Sequence, residues 1–599
     1  MLHAIFWGLI GLVCLSPLPL ASNRPLPWSV LALGVGLLLV GWAVWRLFEP
    51  RAMAAGAAGQ RRPSPYDAGE RALNKYSAAF CLTFMLLLGW YGLQVSPLTA
   101  PFAHPAWAEA AAALGVSLAG AISIAPVAGL TLLMKILSYG GIFIMALYFG
   151  RDRYRARAIF IAVALSSAAY AAYGLFMHFS GMHMVLWFPK TEYPNSLTST
   201  FINRNSFATF AGIGIIAAMG PLLHEFRRLV AGSSSLLRAV KNVSERGGGL
   251  LYLLLASIVL DLAALLLTGS RGGFASTVFG LVVFLVLMVA LRDVSMRHFV
   301  ALLVVGGAMA FGFIAMGGGL LVDRLGSEDG EGRDARVDLF DVGRLAVAQR
   351  PLLGQGLGSF PEAFNRANDG TAAFDANWVD LAHNSYLELA IEGGIIGLVG
   401  SLVLLGLMVG LLLQGIFTRA RGTSFAIAGL SVCALVGAHA MVDFSFQMPA
   451  VAATFMLLVG AAAGQSLPGA VSVSRRERLS EARALAHDQR RKGSGGRRRG
   501  RAILARSALP AEEPRRTTNV MDDLRRIAAD LEALEASRRA AEAEVRRRAL
   551  PAAAPTIALG YNPAPPADAA PGDPPEAESE SAVAESHELP RSRGDREPN

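Results

Sequence analysis

Apolar runs of about twenty residues alternate with short polar hinges along most of this chain. About twelve such runs are expected to be helices, at roughly 4–20, 27–48, 78–95, 128–150, 159–179, 205–222, 249–268, 273–291, 299–321, 395–417, 424–441 and 449–466. Each is long enough to cross ~30 Å of hydrocarbon as a helix. Helices are required there, because an open sheet would leave backbone groups unsatisfied in lipid. The pattern therefore predicts an all-α polytopic membrane protein, with the first run retained as a span rather than removed as a signal peptide, since it lacks a basic leader and a cleavage site.

The rhythm fails in two places. A polar stretch at 322–394 separates the ninth run from the tenth, and after 468 the apolar runs stop. Two domains follow: a membrane domain over 1–468 with one large loop, and a tail over 469–599. In the tail a basic stretch at 473–506 suits anionic lipid head groups or forms a solvated arm. Val520, Leu524, Ile527, Leu531 and Leu534 then repeat at coiled-coil spacing behind the capping candidate Asn519, within 519–549. That pattern suggests self-association or a cytoplasmic partner. Beyond Pro551, proline, alanine and acidic residues predict disorder.

Composition narrows the class. With 53% hydrophobic and only 17% charged residues, the chain falls below the roughly one-quarter charged content of soluble domains, which excludes a soluble enzyme. Nucleic-acid binding does not suit so apolar a chain, despite the net charge of +9. Cys14, Cys81 and Cys433 all lie in apolar runs and read as small core residues. Charge then sets orientation. Loops 49–75, 151–158, 223–248, 292–298 and 418–423 hold 18 Lys and Arg, whereas the alternate set holds only Arg24, Lys190, Arg204 and Arg271. The positive-inside rule puts the first set, both termini and the tail in the cytoplasm, and the loop 322–394 outside. Six arginines in that loop do not conflict, because long loops cross largely regardless of charge.

Ionisable residues at the outer face are costly and are candidates for chemistry. Arg204 lies in FINRNSFATF, Arg271 in TGSRGGF, and His439 and Asp443 in AHAMVDFSFQMPA. The long loop adds Arg336 and Arg344 on an expected helix at 335–349, whose face carries Arg336, Phe340, Gly343 and Val347. It also adds His383-Asn384 at the start of an apolar helix with Glu388 and Glu392. Each has a plainer reading: head-group anchors for the two span arginines, a structural ion pair for Asp443, a satisfied core histidine for His439. GQGLGSF at 354–360 reads first as a tight turn and second as a phosphate contact. No second histidine or cysteine stands at metal-ligand spacing from His383, though Asp380, Glu388 and Glu392 are nearby in sequence. Converging guanidinium groups suit a phosphate dianion, and a histidine suits removal of a hydroxyl proton.

The motifs ISIAPVAGLTLLMKILSYGGIF, FINRNSFATF, LLLTGSRGGF, RPLLGQGLGSF, AHNSYLELAIEGGIIGL and HAMVDFSFQMPA occur in that order between Ile122 and Pro449. Together they resemble the O-antigen ligase/polymerase superfamily of bacterial membrane glycosyltransferases. The resemblance implies a GT-C-like fold in the inner membrane, with a large periplasmic loop carrying short helices. It also implies transfer of a glycan from an undecaprenyl-diphosphate-linked donor to an acceptor, without a nucleotide sugar, a cofactor or an obligatory metal. The acceptor would be the lipid A core for a ligase or the growing glycan for a polymerase. The residues carried over are Arg271 and His383 as catalytic, and Arg204 and Arg336 as diphosphate-binding, with Arg344 or Arg350 as a second loop arginine. Asn384, Glu392, His439 and Asp443 stand as supporting residues. Protein O-oligosaccharyl transfer shares these residues, and a lipid-linked glycan flippase is the rival from another class.

Overall fold

The structure, a computed structural model, describes residues 1–48, 65–230, 248–291, 330–368, 379–418 and 423–467. The expected span at 299–321 and the tail at 469–599 lie outside the described residues. The described residues are mostly helical. In order, α1 covers Leu2–Leu15, α2 Pro25–Phe48, α3 Pro65–Val95, α4 Pro105–Leu114 and α5 Pro126–Gly150. Then come α6 at Arg153–Phe179, α7 at Arg204–Val230, α8 at Gly249–Leu267 and α9 at Arg271–Ala290. The remainder are α10 at Gly330–Gln349, α11 at Phe360–Ala367, α12 at Ser385–Thr418, α13 at Ser424–His439 and α14 at Pro449–Ser466. A two-stranded hairpin, β1 at Met184–Val185 and β2 at Phe188–Pro189, lies between α6 and α7. Among the described residues nine helices are long and apolar enough to cross a membrane, and α1 and α13 are shorter apolar helices. The chain is a multi-pass membrane protein.

Sequence explains which helices are central. The most apolar window of α14 is 94% buried and that of α7 is 89%, against 11% for α2. The helix α14, PAVAATFMLLVGAAAGQS, is rich in small residues, and these allow backbones to meet. A Cβ on Gly464 would lie 2.5 Å from the Leu147 carbonyl oxygen of α5, so no larger residue fits. The outer helices instead expose leucine and valine, as at Leu33, Leu37, Leu82 and Val286, which is stable only against lipid.

At one end of the bundle a second, smaller core forms a cap. Leu339, Val342 and Ala346 of α10 pack with Phe360 and Phe364 of α11 and with Ile391 of α12. The segment 96–125 joins this cap. Arg366 makes two hydrogen bonds to Glu109, at 2.9 and 2.8 Å, and His104 Nε2 meets Gln355 Oε1 at 2.8 Å. The cap ends where α12 breaks at Gly394, whose φ of 63° and ψ of −168° interrupt the helix. The span expected from 395 begins directly after that break.

Two boundaries differ from expectation for local reasons. The helix α6 starts at Arg153 rather than 159, because Asp152 caps it by accepting from Tyr154 N at 2.8 Å and Arg155 N at 3.2 Å. Its arginines are then held by protein: Arg157 pairs with Glu225, and Arg155 lies over the Phe6 and Phe149 rings. The helix expected at 335–349 begins earlier, at Gly330. Of the expected face, Gly343 is buried and Phe340 and Val347 pack half-buried against the cap core, while Leu339, Val342 and Ala346 lie deeper.

Candidate functional site

The turn at 440–444 is the hub of the site. It follows α13 because the amides of Val442 and Asp443 both bond back to the His439 carbonyl, each at 3.0 Å. Three helices begin against it. Ser385 N donates to the Ala440 carbonyl at 2.8 Å, which seats the start of α12. The Asn205 side-chain amide donates to Asp443 Oδ2, which seats the start of α7. Gly272 seats α9, since a Cβ there would meet Val442 at 3.1 Å and His439 Nε2 at 3.6 Å. The first turns of α7 and α9 also touch, with a Gly273 Cβ falling 2.5 Å from Ala208.

Each start is capped by its own sequence. Asn203 accepts from Asn205 N at 2.7 Å, Ser270 from Gly273 N at 3.1 Å, and Asn384 from Tyr386 N and Leu387 N at 3.1 Å. Arg204 and Arg271 therefore occupy the first positions of α7 and α9. Helix N-termini already carry positive partial charge, so a cation there costs about 0.3–1 kcal/mol. Two such placements side by side work against local stability and concentrate positive potential, which suits an anion. Arg271 is exposed, and Arg204 is half-buried over the Tyr193 ring at 5.0 Å, with Nη1 3.4 Å from Ser196 Oγ.

His383 meets the same turn at 440–444. Its φ of 49° puts a non-glycine residue in the left-handed region, a strain that persists only where surrounding structure enforces it. Its ring packs edge-on against Phe444 with centroids 4.7 Å apart. Nδ1 lies 3.8 Å from Asp443 Oδ2, an electrostatic contact too long to be a hydrogen bond. Burial alone would raise the Asp443 carboxyl, but the contact with His383, the nearby His439 and the Phe444 amide outweigh it. Asp443 is accordingly held below the usual carboxylate range and stays charged.

Other expected residues lie apart from this cluster. Arg344 is on the exposed face of α10, paired with Asp341. Arg350 donates to the Phe102 carbonyl at 2.8 Å and to that of Ile122 at 3.3 Å, tying the cap together. Arg336 is on the backbone of α10, one heptad before Gly343, which meets Leu387 of α12; its side chain lies outside the described residues. Glu392 is buried under the glycine-rich turn and accepts from Phe360 N at 3.3 Å. That turn is a clasp rather than a phosphate cradle. The amides of Gly354, Gln355, Gly356 and Leu357 are all bonded to protein acceptors, at Arg350, Ile391, Glu392 and Gln94. Among the described residues no group of three or more His, Cys, Asp or Glu side chains could hold a metal ion.

The structure adds residues that the motifs do not single out. Asn205 and Phe444 contact Asp443 or His383 directly. Glu388, buried, accepts from Ala382 N at 3.0 Å and so braces the residue before His383. Only the NRN context of Asn205 was available as a signal, and its partner lies 238 positions away.

The fold and this cluster define a multi-pass helical membrane protein with a cluster of polar side chains where several of its helices begin. The model of the O-antigen ligase family matches residues 256–402, a stretch that contains Arg271, Arg336, Arg344 and His383. The match supports the O-antigen ligase/polymerase superfamily, and with it a glycosyltransferase-like ligase or polymerase acting on lipid-linked glycan and acceptor substrates. No curated protein matches the chain.

Proposed function

We propose that the chain transfers a glycan from an undecaprenyl-diphosphate-linked donor to an acceptor at the periplasmic face of the inner membrane, with both termini cytoplasmic. The acceptor hydroxyl attacks the anomeric carbon while the bond from that carbon to the diphosphate breaks. His383 takes the hydroxyl proton at Nε2, and Asp443 at Nδ1 stabilises the resulting imidazolium. Arg271 and Arg204 bind the polyprenyl diphosphate as it leaves, and fork-shaped donors held rigidly are effective for this. Arg336 is assigned to the same diphosphate, and the architecture is read as GT-C-like. Asn384 and His439 position the starts of α12 and α9, and Glu392 holds the cap closed.

One observation carries the reading: His383 meets Asp443 of the turn against which two arginine-led helices begin. Its test is purified protein with a polyprenyl-diphosphate-linked saccharide and an acceptor, followed by release of polyprenyl diphosphate. Arg271→Ala and His383→Ala should each abolish release while the protein still inserts and folds; full release in both would remove the assignment. Gene deletion separates the two acceptors. Loss of long chains with free lipid-linked polymer accumulating indicates a ligase, and single repeat units indicate a polymerase.

A further inference from the structure

A cavity of about 310 Å³ lies between the end of α6 and the loop 181–199. Its polar lining includes His178, His183, Lys190, Asn195 and Ser196, and no carboxylate is among its lining residues. The volume is at the small end of ligand sites, suited to one compact polar group rather than to a lipid chain. The walls are pre-set. Lys190 N bonds the His183 carbonyl at 2.9 Å, and Leu197 N bonds the end of α8 at the Leu267 carbonyl, at 3.0 Å. Leu186, Tyr193 and Ser199 of this loop hold φ of 57°, 51° and 52°. Strained non-glycine residues of this kind gather at ligand clamps.

The cavity adjoins the arginine cluster through a shared wall. Lys190 Nζ donates to the Ser196 carbonyl, while Arg204 Nη1 is 3.4 Å from the same residue's Oγ. Lys190 has two further ammonium protons beyond that bond. Burial pulls its ammonium below the usual lysine value, a cost that a bound anion offsets. We propose that this cavity is a subsite for an acidic sugar unit of the glycan, its carboxylate on Lys190 and its hydroxyls on the polar groups around it. The proposal rests on the glycan-transfer reading and deepens it by giving the substrate a charge.

The test uses full-length protein in nanodiscs, titrated with D-glucuronate, D-glucose and inorganic pyrophosphate. Glucuronate is expected to bind about tenfold or more tighter than glucose, as a charge-assisted hydrogen bond provides. Lys190→Met, with a helical circular dichroism spectrum matching wild type as the control for folding, should remove that preference. Lys190→Arg should keep most of it, and Arg271→Ala should keep all of it. The subsite is overturned by absent glucuronate binding, by equal binding of glucose, or by an intact preference in Lys190→Met. Lys190-dependent binding of pyrophosphate in place of glucuronate also overturns it, since the cavity would then hold the donor's diphosphate. Transfer is read separately: its absence in the wild-type protein refutes the function, and full transfer by both Arg271→Ala and His383→Ala removes the residue assignment, whereas these titrations decide the subsite.

Discussion

Replacing Asp443 by asparagine removes one charge and almost no volume, so it isolates what the carboxylate does for His383. The carboxylate is 2% exposed and lies 3.8 Å from Nδ1 of a ring that is 32% exposed. Two unit charges at that distance attract by about 4 kcal/mol at an effective dielectric near 20. Water at the exposed side of the ring screens the pair, so roughly 2 kcal/mol is expected to remain. If the imidazole becomes charged only as the acceptor proton moves, that loss falls on kcat and not on KM, as a ~30-fold slower turnover. Hydrogen bonding is the confounding effect. Asp443 also accepts from Asn205 and from Phe444 N at 2.7 Å. An asparagine that keeps the Phe444 bond presents an amide donor to another donor on Asn205. The exchange Asn205→Asp with Asp443→Asn restores that match but moves the charge to α7. Steady-state release of polyprenyl diphosphate is the assay for all three variants, and the exchange should remain slow. Turnover of Asp443→Asn within about threefold of wild type, or full recovery in the exchange, would refute the electrostatic role.

Arg271→Ala should lower transfer by about 10²–10³-fold, the scale of losing a transition-state donor. Arg271→Lys should stay at least about tenfold down because the charge remains without the fork, as donor-release kinetics would show. His383→Gly and His383→Ala should both lose about 10²–10⁴-fold in turnover. The glycine variant should nonetheless be the more stable of the two by about 1 kcal/mol, since alanine is strained at a φ of 49°; the reverse order of melting temperatures would contradict the enforced backbone. Gly354→Ala combines a φ of 70° with a Cβ 2.3 Å from the Glu392 carbonyl, and should destabilise the cap by ~2 kcal/mol or more in limited proteolysis. For pH, the native Asp443 carboxyl lies below its unfolded value near ~3.9. Its contribution to stability is thus complete above that pH and lost as pH falls through the depressed native value. The melting difference between wild type and Asp443→Asn should shrink as pH falls below about 4 and the carboxylate takes up its proton.

What was legible in the sequence is what local chemistry determines. Gly354, Gly356 and Gly358 read as a tight turn because alternate left-handed positions select glycine, and all three have positive φ. Arg204 and Arg271 read as costly charges at span ends, which they are. The partners were not legible, because they come from distant parts of the chain. The turn's amides end on Gln94, Ile391 and Glu392, and nothing local marks Gln94 as their acceptor. The joining of 96–125 to the cap depends on Arg366 meeting Glu109, 257 positions away. The face of α10 was legible only in part: Gly343 is buried and Phe340 and Val347 pack against the cap core, but Leu339, Val342 and Ala346 lie deeper. Phe340 and Val347 are as apolar as Leu339 and Val342, so periodicity alone cannot say which neighbouring stripe meets α12. Only the close seat of Gly343 against Leu387 decides it, and that seat leaves Arg344 to the outside with Asp341.

The distribution of charge bears on transport as against chemistry. A flippase for lipid-linked glycans needs polar groups along a path through the bundle. Two ionisable residues within the described helices, Lys135 of α5 and Asp261 of α8, do not form one. Lys135 lies over the Trp28 ring of the peripheral helix α2, at 5.5 Å. Asp261 is fully buried and is held by Ser167 Oγ at 2.9 Å, where a Cβ on Gly214 would collide with both side chains. That triad is a tight three-helix contact with no room for a passing saccharide. The central helix α14 is likewise packed too closely on α5 at Gly150, Gly460 and Gly464 to part without losing its core. Polar groups that can meet a substrate are instead gathered on the turn at 440–444 and the helix starts around it. That placement fits the proposed chemistry at one face, and widening the centre offers a direct check. Gly464→Leu should unfold the bundle, whereas a protein that rocks open around α14 would tolerate it.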